Sequence, residues 1–149
     1  MKPQIILLLT ALIAGALLPL QAGLNIQLGK AVHQPIFAAF ASFLVGTLAL
    51  FIYLLILKFD FSTISEIRSV SPVVWLAGLF GAFYVAVVII LAPKLGAALT
   101  FVLIVGGQMA VSVFLDHYGL MGMPIKKINL PRIMGIVCLV VGVLLIRKF

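Results

Sequence analysis

The sequence predicts an all-α membrane protein with five transmembrane helices, and three observations support that fold class. Five strongly apolar stretches fill most of the 149 residues, 65% of the residues are hydrophobic, and only 9% are charged. A globular domain has roughly 45–50% apolar residues, so this chain keeps no polar face to meet water. One crossing needs about 20 mainly apolar residues. The predicted spans are 4–28, 36–57, 73–92, 95–115 and 130–147, within a single membrane domain over 1–149.

The first helix could be mistaken for a secretory signal, because the segment from Leu20 to Gly23 imitates a cleavage site. We predict that the helix is retained. The apolar run continues to Leu28, and Leu20 stands where a cleavage site prefers a small residue. Pro19 lacks an N–H and clashes with the preceding turn, so it predicts a kink in this helix.

The connections between the predicted helices alternate between short and long. Residues 29–35 and 93–95 form short links, and the segment from Pro93 to Gly96 predicts a tight hairpin between helices three and four. The longer links are polar and emerge on the face of the N-terminus. In the first of them, Thr63 and Glu66 have the spacing of a capping box, which predicts a short helical turn. Asn129 predicts the start of helix five.

Basic residues at the span ends predict both the orientation and the surroundings of the chain. Six of them fall on the N-terminal face and four on the other, so the positive-inside rule places the N-terminus in the cytoplasm. A count this close to balance is also typical of dual topology, in which a second copy inserts the other way up. Despite a net charge of +7, basic residues at span ends favour lipid headgroups over nucleic acid as partners. The two sets are Lys2, Lys58, Arg68, Lys126, Lys127 and Arg132, and Lys30, Lys94, Arg147 and Lys148.

Polar side chains inside the predicted spans are the candidates for substrate binding. Each is costly in hydrocarbon unless it faces a cavity, water or a partner helix. Gln21 and Asn25 lie four residues apart and share one face of helix one. Gln108 follows two glycines in helix four, and Tyr84 offers a hydroxyl in helix three. The alternative is that these groups hold helices together by hydrogen bonds.

Asp116 and His117 close the fourth predicted helix and are candidates for gating or coupling. A carboxylate beside an imidazole gives a titratable pair at a membrane face. Their alternative role is a structural cap and loop anchor. No carboxylate lies centrally in a span, which disfavours a proton antiporter built around a buried acid. The sequence has no metal-ligand spacing, catalytic set or phosphate-binding loop, so neither an enzyme nor a cofactor is predicted.

A set of positions spread over the whole chain carries a resemblance to a known family. They are Gln21, Gly23, Asn25 and Leu28; Pro35, Ala38, Ala39, Ser42, Phe43 and Gly46; Trp75, Leu76, Gly78, Gly81, Ala82, Tyr84 and Val85; Pro93, Leu95, Gly96, Ala97, Ala98, Gly107 and Gln108; and Asp116 to Leu120, Arg132, Ile133 and Gly135. Taken in chain order, they resemble the YdcZ-like family of the drug/metabolite transporter superfamily. The resemblance implies a bacterial inner-membrane protein that is half of an inverted-repeat, ten-helix transporter, built from paired, fused or self-associating halves. The chain is similar in plan to small multidrug exporters but lacks their central helix-one Glu.

The sequence and the resemblance together predict a secondary transporter or facilitator of a small metabolite or amphipathic compound. We expect it to act as an antiparallel homodimer or with a homologous half. Two other readings stay open at this point. One is a non-transporting membrane scaffold or accessory subunit, in which the amides only join helices. The other is a lipid translocator, which the basic loops suggest.

Overall fold

The computed structural model describes residues 3–148, and over that range the chain is helical with no strand. Five of its helices are long and apolar enough to cross a membrane, which confirms the predicted fold class. Lys2, counted above among the basic residues, lies outside the described range. The helices are α1 (Pro3–Ala31), α2 (Pro35–Ile56), α3 (Leu76–Leu95), α4 (Ala97–Tyr118) and α5 (Leu130–Lys148), with 3-10 segments at Phe61–Ser69, Pro72–Trp75 and Leu120–Gly122.

Local chemistry explains where the helices begin and end. Helix α2 starts at Pro35, whose missing N–H costs nothing in a first turn, and the Gln34 side chain accepts from the N–H of Ile36 at 3.4 Å. Helix α5 starts as predicted, because Asn129 Oδ1 accepts from the N–H of Arg132 at 3.1 Å. Helix α1 passes through Pro19 without ending.

Two local features differ from the predictions. Helix α3 continues through Pro93 to Leu95, so of the predicted hairpin segment from Pro93 to Gly96 only Gly96 lies outside a helix. Gly96 has φ 84° and ψ 149°, a conformation that is essentially restricted to glycine, so this residue interrupts the helical backbone. In the α2–α3 loop the capping residue is Asp60, not Thr63. Its carboxylate accepts from the N–H of Ser62 at 2.9 Å, and this hydrogen bond lowers the pKa of Asp60.

Contacts within the chain form two compact units, with the boundary between Pro93 and Lys94. The single domain predicted for 1–149 stays a prediction. In the first unit, α1 packs on α2 at a point where Gly29 lets the backbones approach. A Cβ at Gly29 would lie 3.3 Å from the Pro35 Cα. The small core beside this point contains Ala38, Ala39 and Ile89, with Ile26, Val85 and Ala86 packed against it.

In the second unit, α4 packs on α5, and small residues again permit the approach. A Cβ at Gly106 would lie 3.4 Å from the Leu139 side chain. Helix α4 is capped by Gly119, which has φ 63° and lies so close to Ile125 that a Cβ would come within 2.6 Å of its Cγ1. Glycine is therefore required here by both backbone conformation and space. This turn fixes the start of the α4–α5 loop.

Candidate functional site

Three of the four predicted substrate-binding residues line one small cavity in the first unit. Gln21 and Asn25 reach it from α1 and Tyr84 reaches it from α3, and the space is ≈ 10 Å³. A volume near this value holds about one water molecule. The sequence therefore identified side chains that the fold brings together, while their role in substrate binding stays a prediction. Leu18, Ala22, Val85, Val88 and Ile89 complete the lining. We call this space the inner cavity.

Asn25 is the most unusual group in the inner cavity. Only 7% of its surface is exposed, and its Nδ2 has no hydrogen-bond partner among the described residues. Ala22 and Gly29 lie on the same face of α1 as Asn25, and both are small. Val88 and Ile89 of α3 can therefore pack closely against this face, which buries Asn25. A buried amide without a partner costs about 1–3 kcal/mol. Asn25 therefore presents an unused donor to the cavity.

Gln21 lies between the inner cavity and a larger space. Its Nε2 donates to the Ser42 hydroxyl at 3.3 Å, which joins α1 to α2. Gln21 and Ser42 also line a groove of ≈ 210 Å³ with Phe43, Gly46, Thr47 and Leu50. The sequence analysis missed the hydroxyls of Ser42 and Thr47. The sequence feature that could have identified them is a pair of hydroxyl residues in an apolar span, with Ser42 four residues before Gly46 and Thr47 directly after it.

Gln108 is placed differently from the other three predicted residues. It lies near the middle of α4, in the second unit, and its side chain is exposed. No hydrogen bond to its amide occurs within residues 3–148. An exposed amide at the depth of the hydrocarbon needs a partner that lipid does not provide.

The predicted pair of Asp116 and His117 is wrong as a pair. Asp116 Oδ2 instead accepts from Arg132 Nη2 at 3.0 Å, with both side chains 28% exposed. His117 Nδ1 accepts from the N–H of Ile128 at 3.1 Å and so anchors the α4–α5 loop. Adjacent residues on a helix point in different directions, which explains why the two side chains find different partners. Their roles in gating or coupling stay predictions.

Arg132, which the sequence analysis counted only among the basic residues at the span ends, has two hydrogen-bond partners within the second unit. Its Nη1 donates to the Lys126 carbonyl at 2.9 Å while its Nη2 binds Asp116. The available signal was an acid at the end of one helix and a base at the start of the next. Beside this ion pair runs a groove of ≈ 270 Å³ between α4 and α5, lined by Met109, Ser112, Val113, Asp116, Arg132, Gly135 and Ile136.

A bound metal ion would require several ligating side chains close together. Among residues 3–148, no group of three or more His, Cys, Asp or Glu side chains could hold a metal ion.

Comparison with known proteins gives one result. A family model described as "Putative inner membrane exporter, YdcZ" matches residues 6–145, a range that reaches into all five helices. No curated protein and no solved structure matches the chain.

Proposed function

The chain belongs to the YdcZ family of inner-membrane exporters, and on that premise we propose that it is one half of a transporter for a small metabolite or amphipathic compound. It is a multi-pass protein of the inner membrane, and its family indicates a role in transport rather than in catalysis. The observation that carries the proposal is the buried, unpartnered amide of Asn25 in the inner cavity. A substrate with a hydrogen-bond acceptor gives this donor the partner it lacks.

The substrate reaches Asn25 past Gln21. The groove of ≈ 210 Å³ is large enough for a small organic group, whereas the inner cavity of ≈ 10 Å³ is not. Gln21 lines both spaces, so a change in its bond to Ser42 connects them. In this conformation the inner cavity is too small for a substrate, so transport requires α1 and α3 to separate around Asn25.

The polar groups of the two spaces favour an uncharged binding mode. The amides of Gln21 and Asn25 and the hydroxyls of Tyr84, Ser42 and Thr47 carry no formal charge. The whole sequence has three acids, Asp60, Glu66 and Asp116, and none lies centrally in one of the five long apolar helices. Recognition therefore rests on hydrogen bonds and apolar contact, without a carboxylate that exchanges a cation for protons.

The exposed position of Gln108 is an argument for a second half of the transporter. Its exposed amide sits near the middle of α4, where hydrogen bonds between helices normally satisfy such groups. We propose that a second copy, inserted in the opposite orientation, covers it. Five crossings leave the termini on opposite faces, and an inverted pair has the symmetry that alternating access uses.

One observation favours the rival reading of a non-transporting scaffold. The bond from Gln21 to Ser42 joins α1 to α2, as a purely structural amide does. The scaffold reading does not account for Asn25, whose Nδ2 joins nothing. A substitution of Asn25 therefore distinguishes the transporter from the scaffold.

The test compares wild-type protein with Asn25→Leu. Bacteria expressing each chain are profiled by mass spectrometry of the growth medium, and compounds enriched by the wild type are loaded into proteoliposomes. We expect export by the wild type, none by Asn25→Leu, and normal export by the control Gln27→Leu, which removes an exposed amide from the same helix. Equal medium profiles for cells with and without the protein contradict a transport role.

A further inference from the structure

We propose that the groove between α4 and α5 binds one anionic phospholipid. Its phosphate lies against Arg132 at the end of the helix pair, and one acyl chain follows the groove. This α4–α5 groove is the ≈ 270 Å³ space described above. The inference concerns the second unit and does not depend on the transport proposal.

Charge near the groove favours a phosphate. Arg132 lines the groove, and its Nη1 donates to the carbonyl of Lys126, so the loop that carries Lys126 and Lys127 passes beside it. Together with Asp116, these three basic residues have a net charge of +2. Two N–H groups of Arg132 are used, on Asp116 and on the Lys126 carbonyl, and a guanidinium has five. The two acceptors hold the guanidinium in place while donors remain for a ligand. Planar guanidinium donors suit phosphate oxygens.

The lining of the groove favours a lipid over a free phosphate. Met109, Val113 and Ile136 continue the surface beyond the ion pair with apolar side chains. Ser112 lies one turn before Asp116, and its hydroxyl has no hydrogen-bond partner within the described residues. At Gly135 a Cβ would meet nothing within 4 Å, so the glycine leaves the groove open. The charged end falls where a membrane helix ends, at the level of headgroups.

A second copy is a poorer occupant on grounds of charge. An antiparallel partner brings its opposite face to the mouth of the groove, and that face has basic residues and no acid in its connections. Basic residues would then meet Lys126, Lys127 and Arg132. Anionic lipid instead neutralises this end of the molecule. The basic residues of the opposite face are Lys30, Lys94, Arg147 and Lys148.

The experiment measures lipid retention by native mass spectrometry. Full-length protein is delipidated in a nonionic detergent and titrated with phosphatidylglycerol, with a phosphate-free diacylglycerol, and with inorganic phosphate. We expect one tightly retained phosphatidylglycerol and no retention of the other two. Lys127→Gln should weaken binding about fivefold, the factor that one lysine near an anionic surface contributes.

A matched pair of variants on α5 locates the site. Gly135→Leu fills the groove and should abolish retention of phosphatidylglycerol. Gly142→Leu places the same side chain two turns further on, where a Cβ also meets nothing within 4 Å, and should retain the lipid. Unchanged lipid binding by Gly135→Leu, or equal retention of inorganic phosphate, overturns the proposal. Conversion of a dimer to a monomer by Gly135→Leu, with lipid binding unchanged, assigns the groove to a second copy instead.

Discussion

Replacing Asn25 with Leu should make the protein more stable and inactive at the same time. Leu branches at Cγ as Asn does, so it fills the same place beside Val88 and Ile89. Burying the unpaired Nδ2 costs about 1–3 kcal/mol, and the substitution removes that cost. The free energy of unfolding should therefore rise by about 1–3 kcal/mol. The same change removes the donor from the inner cavity, which has ≈ 10 Å³ to spare, so substrate binding should be lost.

Two measurements on the same preparations check this prediction. Thermal unfolding in detergent reports stability, and proteoliposomes loaded with a compound found in the growth medium report export. Gln27→Leu is the control for adding a leucine to α1, and it should leave export intact. A lower Tm for Asn25→Leu would show that the amide is a structural bond between helices. Full export by the variant would also refute the reasoning.

The remaining predictions concern packing and hydrogen bonds. Gly29→Ala should lower the free energy of unfolding by about 1–3 kcal/mol relative to Gly23→Ala, because only a Cβ at Gly29 meets a backbone atom at 3.3 Å. Chemical denaturation of both variants measures the difference, and equal stability would contradict this prediction. Gly119→Ala should cost about 2 kcal/mol or more, since it adds a clash to a left-handed backbone, and an unchanged Tm would rule this out. Ser42→Ala should cost about 0.6 kcal/mol by removing the acceptor of Gln21, and a double-mutant cycle with Gln21→Leu should give a coupling of the same size rather than zero.

The fold was predictable because hydropathy alone defines a membrane helix. Each predicted span overlaps an observed helix, and Asn129 was identified correctly as a cap. The predictions that differ from the structure concern residues that occur both in turns and in helices. Pro93 was assigned to a turn but lies within the last residues of α3, because the helical backbone is interrupted only at Gly96. Proline is tolerated in a membrane helix when neighbouring groups compensate for its missing bond.

The candidate site was predictable in part. The i, i+4 spacing of Gln21 and Asn25 put both on one face, and the structure adds Tyr84 to the same cavity. Spacing does not say which partner a side chain will choose. Asp116 therefore bonds to Arg132, sixteen residues away, rather than to the adjacent His117. The unpaired state of Asn25 Nδ2 also depends on packing between α1 and α3, which no local pattern encodes.

The central claim is that two copies in opposite orientations form the transporter, and cysteine accessibility tests it most directly. Glu66 lies in the exposed 3-10 segment between α2 and α3, so Glu66→Cys in a Cys138→Ala background gives one reporter thiol on the N-terminal face. Intact cells are treated with a membrane-impermeant maleimide, and permeabilised cells give the value for complete labelling. Dual orientation predicts that about half of the thiols react in intact cells. Labelling of all or none of them contradicts the antiparallel homodimer.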